Sequence, residues 1–175
     1  MLDFSRNHFE LFGLPVSYAL DSARLDQAYR DIQAEIHPDR FAHAGEAEQR
    51  LAMQWATRVN EAYQTLRRPF ERADYLLRLH GIHAMDANNT SMPTDFLVRQ
   101  MEWREQLEDA KAGGDVAVLD RLEKALRDEA RAFQARLGEE IDQRGDYPLA
   151  AETLRKLRFT DKLLAEVGEA YETIE

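Results

Sequence analysis

The sequence predicts an all-α protein: an antiparallel helical hairpin near the N-terminus, then a bundle of three longer helices. Three observations carry that expectation. Apolar residues recur at steps of three and four through each long segment, which is the period of one helix face. Pro and Gly stand where those patterns stop, at Pro38, Pro69, Gly81, Gly113, Gly114 and Gly145. At 175 residues, 44% hydrophobic and 32% charged, the chain is globular in composition and long enough for one ordinary domain or two small ones.

The segment from His8 to Pro15 is a short apolar opening closed by Gly13 and Pro15, consistent with one or two helical turns. Asp21 or Ser22 then offers an N-cap, and Leu25, Ala28, Tyr29, Ile32 and Ile36 form the stripe of an amphipathic helix that ends near His37. Pro38 has no backbone N–H and disfavours helical backbone in the residue before it, so a turn is written into His37, Pro38, Asp39 and Arg40. A second helix follows from about Glu46 to Arg67, with Leu51, Trp55, Val59, Ala62 and Leu66 on its stripe, until Pro69 stops it. The two pack antiparallel, and the turn is their hairpin tip.

Residues 70–80 carry a crowded apolar set, Ala73, Tyr75, Leu76, Leu77 and Leu79, which reads as a hinge helix before Gly81. The polar run 87–93 is the best boundary in the chain, giving an expected division into 1–80, a linker 81–93, and 94–175. Three helices are expected beyond it. The first runs from about Thr94 to Ala112, and the second from about Asp115 to Asp142 with Leu119, Leu122, Leu126, Phe133 and Leu137 on one stripe. The third follows Gly145 and Pro148, with Leu149, Thr153, Leu157, Thr160, Leu164, Val167 and Tyr171 as a narrow seam.

Composition excludes several classes of function. No apolar run approaches the length of a membrane span, and mean hydropathy is -0.60. The N-terminus has neither the basic-then-apolar order of a secretion signal nor the character of a transit peptide, so a cytoplasmic or already processed protein is expected. There is no cysteine, which removes disulfides, thiolate metal sites and thiol nucleophiles. His37 with His43, or His80 with His83, are the histidine pairs nearest to a metal-ligand spacing. Neither has an acidic partner at a recognisable distance, so no metal or cofactor is expected. The net charge is -10, with 10 basic against 12 acidic residues in 1–80 and 13 against 21 in 81–175. A chain of this sign has no overall pull toward nucleic acid, and no local basic patch is visible in the sequence.

The order Phe9-Glu10-Leu11-Phe12-Gly13-Leu14-Pro15, helix, His37-Pro38-Asp39-Arg40-Phe41, then a long helix with Val59-Asn60-Glu61-Ala62-Tyr63 before Leu66 and Pro69, resembles a J-domain. The resemblance implies a co-chaperone that binds an ATPase chaperone of the DnaK/HscA type and stimulates its ATP hydrolysis. It implies that His37, Pro38 and Asp39 couple the two, with Arg40 and the basic residues of the preceding helix in the docking surface. Only Arg24 and Arg30 are basic on that helix, against Asp26, Asp31 and Glu35. Either the partner presents a less acidic surface than usual, or Arg40 and the loop carry more of the contact.

The first helix of the second half is apolar on two sides. At 100° per residue from Phe96, the residues Phe96, Trp103, Leu107 and Ala110 fall within about 60°, a core stripe. Leu97, Val98, Met101, Glu102, Glu105 and Asp109 occupy roughly 100° to 240°, facing away from it. On the third helix Phe159 is similarly displaced from the seam. Apolar anchors with a charged rim are how interfaces are built, although a wider core face, or packing against the J-domain, would also account for them. Thr94-Asp95-Phe96-Leu97, Arg104-Glu105-Gln106-Leu107 and Arg155-Lys156-Leu157-Arg158-Phe159-Thr160-Asp161-Lys162-Leu163 resemble the C-terminal domain of the HscB family, co-chaperones of bacterial iron-sulfur cluster assembly. That resemblance implies a domain that holds the cluster scaffold IscU and delivers it to HscA. It implies contact through Leu97, Val98, Met101, Glu102, Glu105, Asp109 and Phe159.

Two other readings stand beside this adaptor with no chemistry of its own. A general J-domain co-chaperone would use the same apolar face for many extended clients. An enzyme would use His37 and Asp39 as an acid-base pair, but no nucleophile or phosphate cradle accompanies them.

Overall fold

In the computed structural model, which describes residues 2–174, the chain is helical throughout its regular structure. It comprises α1 (His8–Leu11), α2 (Ser22–Ile36), a 3₁₀ turn (Pro38–Phe41), α3 (Glu46–Arg67), α4 (Pro69–Leu79), α5 (Thr94–Gly113), α6 (Val116–Gly138), a π turn (Glu139–Gln143) and α7 (Tyr147–Ile174). The fold is the J-domain followed by a three-helix bundle. The chain divides into two compact units after Leu76, inside α4, rather than at 80, and the segment 81–93 belongs to the second unit with Ala84 buried in it.

In the first unit the starts of α1 and α2 are fixed by side-chain caps, whereas α3 starts at Gly45 without one. Asn7 and Glu10 form a reciprocal capping box around α1. Asp21, one of the two candidate caps, accepts from Ala23 N (3.0 Å) and Arg24 N (3.3 Å). The α2/α3 hairpin closes on Leu25, Ile36, Ala52, Trp55, Val59, Ala62 and Leu66, all buried. A polar clamp runs along its edge. Tyr29 and Tyr63 stack at 4.0 Å, Tyr29 Oη donates to Asn60 (3.1 Å), and Tyr63 Oη donates to Asp26 (2.7 Å). The acid of α2 nearest its start is thereby turned toward α3. Phe4 stacks on Trp55 at 3.8 Å, and Arg72, itself buried, donates to Leu66 O (2.7 Å).

Leu51 departs from the expected stripe: it is 44% exposed, and Ala52 takes its place in the core. It lies where α2 has already ended at Ile36 and only the short 3₁₀ turn is left alongside α3.

In the second unit Phe96 is buried at the meeting point of all three long helices. Its ring makes edge contacts with Trp103 of α5 (6.1 Å), Phe133 of α6 (5.9 Å) and Phe159 of α7 (6.1 Å). Two arginines pin the rotation of α5 from either side of its core stripe. Arg99 bridges Glu129 of α6 bidentately (2.8 and 3.0 Å), and Arg104 bridges Glu166 of α7 (3.0 Å). Gly114, with φ 62°, ends α5 in the left-handed conformation that glycine adopts without strain.

The third helix buries more than a narrow seam. Ala150, Ala151, Leu154, Leu163 and Ala170 join Thr153, Leu157, Thr160 and Val167 in the core, while Leu149, Leu164 and Tyr171 are half-exposed. The reason is that α7 packs against both α5 and α6. It starts at Tyr147, so Pro148 sits in its first turn, where the missing N–H has no intrahelical partner to lose. Tyr171 Oη donates to Asp120 (2.6 Å), and burial together with the carboxylates of Asp120 and Glu123 holds it well above the usual phenol range.

The second helix breaks earlier than expected, with the π turn replacing its last stretch before Asp142. There Glu140 is buried, accepts from Thr153 Oγ1 (3.0 Å), and leaves Oε2 with no hydrogen-bond partner. Burial raises its carboxyl above the ordinary 4.5, partly offset by the Thr153 bond and by Arg136 and Lys156. A raised folded-state pKa stabilises the fold fully below the ordinary carboxyl range, and that contribution is lost as pH rises from there through the shifted value. Glu140→Gln is therefore expected to leave the melting temperature of the full chain near wild type at about pH 4 and to raise it at pH 7–8. Thermal unfolding across that range checks it, and equal melting curves at every pH would count against a buried, proton-linked Glu140.

Candidate functional site

The hairpin tip owes its shape to one backbone restriction. His37 leaves α2 with φ -55° and ψ 134°, outside the helical region, because Pro38 follows it. Pro38 then opens the 3₁₀ turn, closed by Arg40 N donating to His37 O (2.9 Å). His37 Nδ1 accepts from Asp39 N–H (3.2 Å), so in this form Nδ1 bears no proton. The 3.6 Å approach of Asp39 Oδ2 to the same nitrogen is then a proximity without an ion pair. The Asp39 side chain is 91% exposed. What the loop offers is a carboxylate held out by a short, ordered turn.

Arg30, His37, Pro38 and Arg40 line one shallow groove of about 630 Å³, with Gln33 and Ala34 of α2 and Ala56 of α3 among its walls. Arg30 is steadied by Gln27 (3.0 Å). Arg24 stands apart, exposed near the start of α2 and roughly 20 Å along the helix from His37. One residue outside the sequence expectations organises the far side of the tip. Gln49 Nε2 of α3 donates toward the carbonyls of Phe41 (3.1 Å), Ala42 (3.4 Å) and Ala44 (3.1 Å). Nothing in the sequence marks it, because a glutamine on an exposed helix turn is ordinary until the loop folds back on it.

On α5 the outer face is exposed. Leu97 is 44%, Val98 49% and Met101 72% accessible, and Glu102, Glu105 and Asp109 are exposed around them. A wider core face does not account for these residues within the bundle. Met101 is the most exposed of the three apolar residues. Glu108 lies on the same side and is paired with Lys111 (3.2 Å). Phe159 is half-buried on α7 and joins α5 through Phe96 and through the Arg104 guanidinium, 5.3 Å over its ring. Its other surroundings include a groove formed with residues 84–92. Among the described residues no group of three or more His, Asp or Glu converges as metal ligands, and no helix is long and apolar enough to cross a membrane.

A J-domain joined to an all-helical C-terminal domain with an exposed apolar-acidic face defines a class of co-chaperone. The family model for the HSCB C-terminal oligomerisation domain matches residues 92–168. The co-chaperone protein HscB homolog of Burkholderia thailandensis is 53% identical over 175 residues, covering 100% of this chain and 99% of that one. Among solved structures, chaperone HscB from Vibrio cholerae superposes with TM-score 0.82 at 38% identity, over 97% of this chain and 100% of that one. Human co-chaperone protein HscB superposes with TM-score 0.86 at 29% identity, over 95% of this chain and 83% of that one. The chain belongs to the HscB co-chaperone family.

Removing the Gln49 amide frees three loop carbonyls on an exposed surface, a loss of about 0.5–1.5 kcal/mol per hydrogen bond at most. Gln49→Ala is expected to speed amide hydrogen exchange in residues 39–44 severalfold while the melting temperature changes little. Unchanged exchange there would show that the tip is held by its backbone alone.

Proposed function

We propose that this J-type co-chaperone binds an IscU-type iron-sulfur scaffold through the outer face of α5 and delivers it to an HscA-type chaperone, whose ATP hydrolysis its J-domain stimulates. The labour divides as the J-domain, 1–80, for the chaperone and the helical domain, 94–175 with the segment 81–93 in the same compact unit, for the scaffold. Catalysis belongs to the chaperone, so the chain is an activator and not an enzyme, acting in the cytoplasm. One observation carries the scaffold half: apolar side chains exposed among carboxylates on one outward arc, on a helix whose core stripe is already satisfied. Burying Leu97 and Met101 against a folded partner contributes roughly 1.5–3 kcal/mol each before ordering costs, which suits a transient complex. Val98 and Phe159 add area, and Glu102, Glu105 and Asp109 select a partner with a basic rim.

At the other end Asp39 engages a cation on the ATPase, while His37 and Pro38 hold the loop geometry. Arg30 and Arg40 share the groove beside it, and Arg24 extends the surface along α2. The grouping of Arg30, His37, Pro38 and Arg40 favours the second alternative for the sparse basic helix, in which Arg40 and the loop carry more of the contact.

Asp39→Asn is expected to abolish stimulation of the chaperone's ATPase while leaving scaffold binding intact; stimulation that survives it would remove the loop from the mechanism. Leu97→Ala with Met101→Ala should weaken scaffold binding about 10- to 100-fold, read by calorimetry, with fold stability within about 0.5 kcal/mol because both side chains are exposed. Equal weakening for many unrelated extended peptides would favour the general client binder instead.

A further inference from the structure

The acidic chain carries a local basic groove that its sequence does not reveal. Residues 84–92 fold back along α7 through short turns, in which Asn89 N donates to Asp86 O (2.8 Å) and Asn89 Nδ2 to His83 O (3.1 Å). Between this segment and α7 lies a groove of about 320 Å³. Its apolar lining comes from Ala84, Met85, Ala87, Met92 and the ring of Phe159. Its rim is Arg155, Arg158 and Lys162, at steps of three and four on one face of α7, with Asp86 the one carboxylate among the lining residues. Arg155 Nε is buried with no hydrogen-bond partner. The volume is at the small end of binding pockets, about 300–1,000 Å³, so the groove has room for one or two side chains rather than a large cofactor.

Phe159 links this groove to the border of the α5 face, since the Arg104 guanidinium lies 5.3 Å over its ring and Arg104 stands one turn from Met101 and two from Leu97 on α5. The two patches are opposite in charge: carboxylates ring Leu97, Val98 and Met101, and cations rim the groove. We propose that the groove is a second subsite for the scaffold that docks on α5, taking an acidic residue of that partner with an apolar side chain beside it. This rests on the proposed function above. The carboxylate lies among Arg155, Arg158 and Lys162, and the apolar side chain lies against Met85, Met92 and Phe159. A partner that satisfies both patches must be basic where it meets α5 and acidic where it enters the groove. That dipolar requirement fixes its orientation and excludes uniformly basic proteins drawn to a chain of charge -10.

The test titrates purified IscU-type scaffold into four full-length proteins by calorimetry: wild type, Leu97→Ala with Met101→Ala, Arg158→Glu with Lys162→Glu, and Arg121→Glu with Lys124→Glu, both exposed on α6, as a control for the same change of net charge. Circular dichroism melts verify that each is folded. The groove variant is expected to bind about tenfold more weakly, with the loss shrinking as salt is raised, while the control binds as wild type. Weakening in the α5 variant with none in the groove variant would overturn the groove and leave the proposed function standing. Weakening in neither would remove both. An equal loss in Arg121→Glu with Lys124→Glu would reduce the effect to overall charge and overturn the subsite. So would binding of a single-stranded RNA oligonucleotide at physiological salt that the groove substitutions abolish.

Discussion

The second unit depends on Phe96. Its ring meets aromatic side chains from each of the three long helices, so it fixes both the spacing of the bundle and the rotation of α5 about its own axis. At 100° per residue, turning Phe96 inward leaves Leu97, Val98 and Met101 no choice but to face out. Arg99 and Arg104, at the two borders of the core stripe, lock the same rotation by pairing with α6 and α7. Exposed ion pairs of this kind contribute little stability singly. Their value here is geometric, because they hold an exposed apolar arc in one orientation.

The hairpin tip is built on a different principle. No aromatic hub fixes the tip; a covalent restriction at Pro38 and a few hydrogen bonds do. Pro38 ends α2, the Asp39 amide is taken up by the His37 ring, and Gln49 gathers the carbonyls that follow. The loop is held cheaply and locally, and its carboxylate stays in solvent. Such a hydrated carboxylate suits the proposed contact with a cation on another protein, whereas an acid-base catalyst would need a partly buried group.

Much of this was legible in the chain. Pro38, Pro69, Gly114 and the three-four periodicity place the helix ends within a few residues, because those signals act through local backbone sterics. The division of α5 into two apolar sides was also legible, since it follows from angles along a single helix. The reading failed where burial depends on neighbours. Leu51 has the right spacing for the core but stands beyond the end of its partner helix, and α7 buries a broad face because it has two neighbours rather than one. The π turn at Glu139–Gln143 gives no periodic signal at all.

The sequence by itself determined the all-helical class, the turn at His37-Pro38-Asp39-Arg40 and the two-sided character of α5, all set by interactions within about one helical turn. Only the tertiary structure decided that Gln49 steadies the loop, that Asp26 turns toward Tyr63, and that Arg155, Arg158 and Lys162 share a groove with Met85 and Met92. The last two join segments far apart in the chain, and the first needs the loop to fold back on the helix that follows it. Such pairings are chosen by how whole helices pack, and no local pattern of charge or apolarity encodes them.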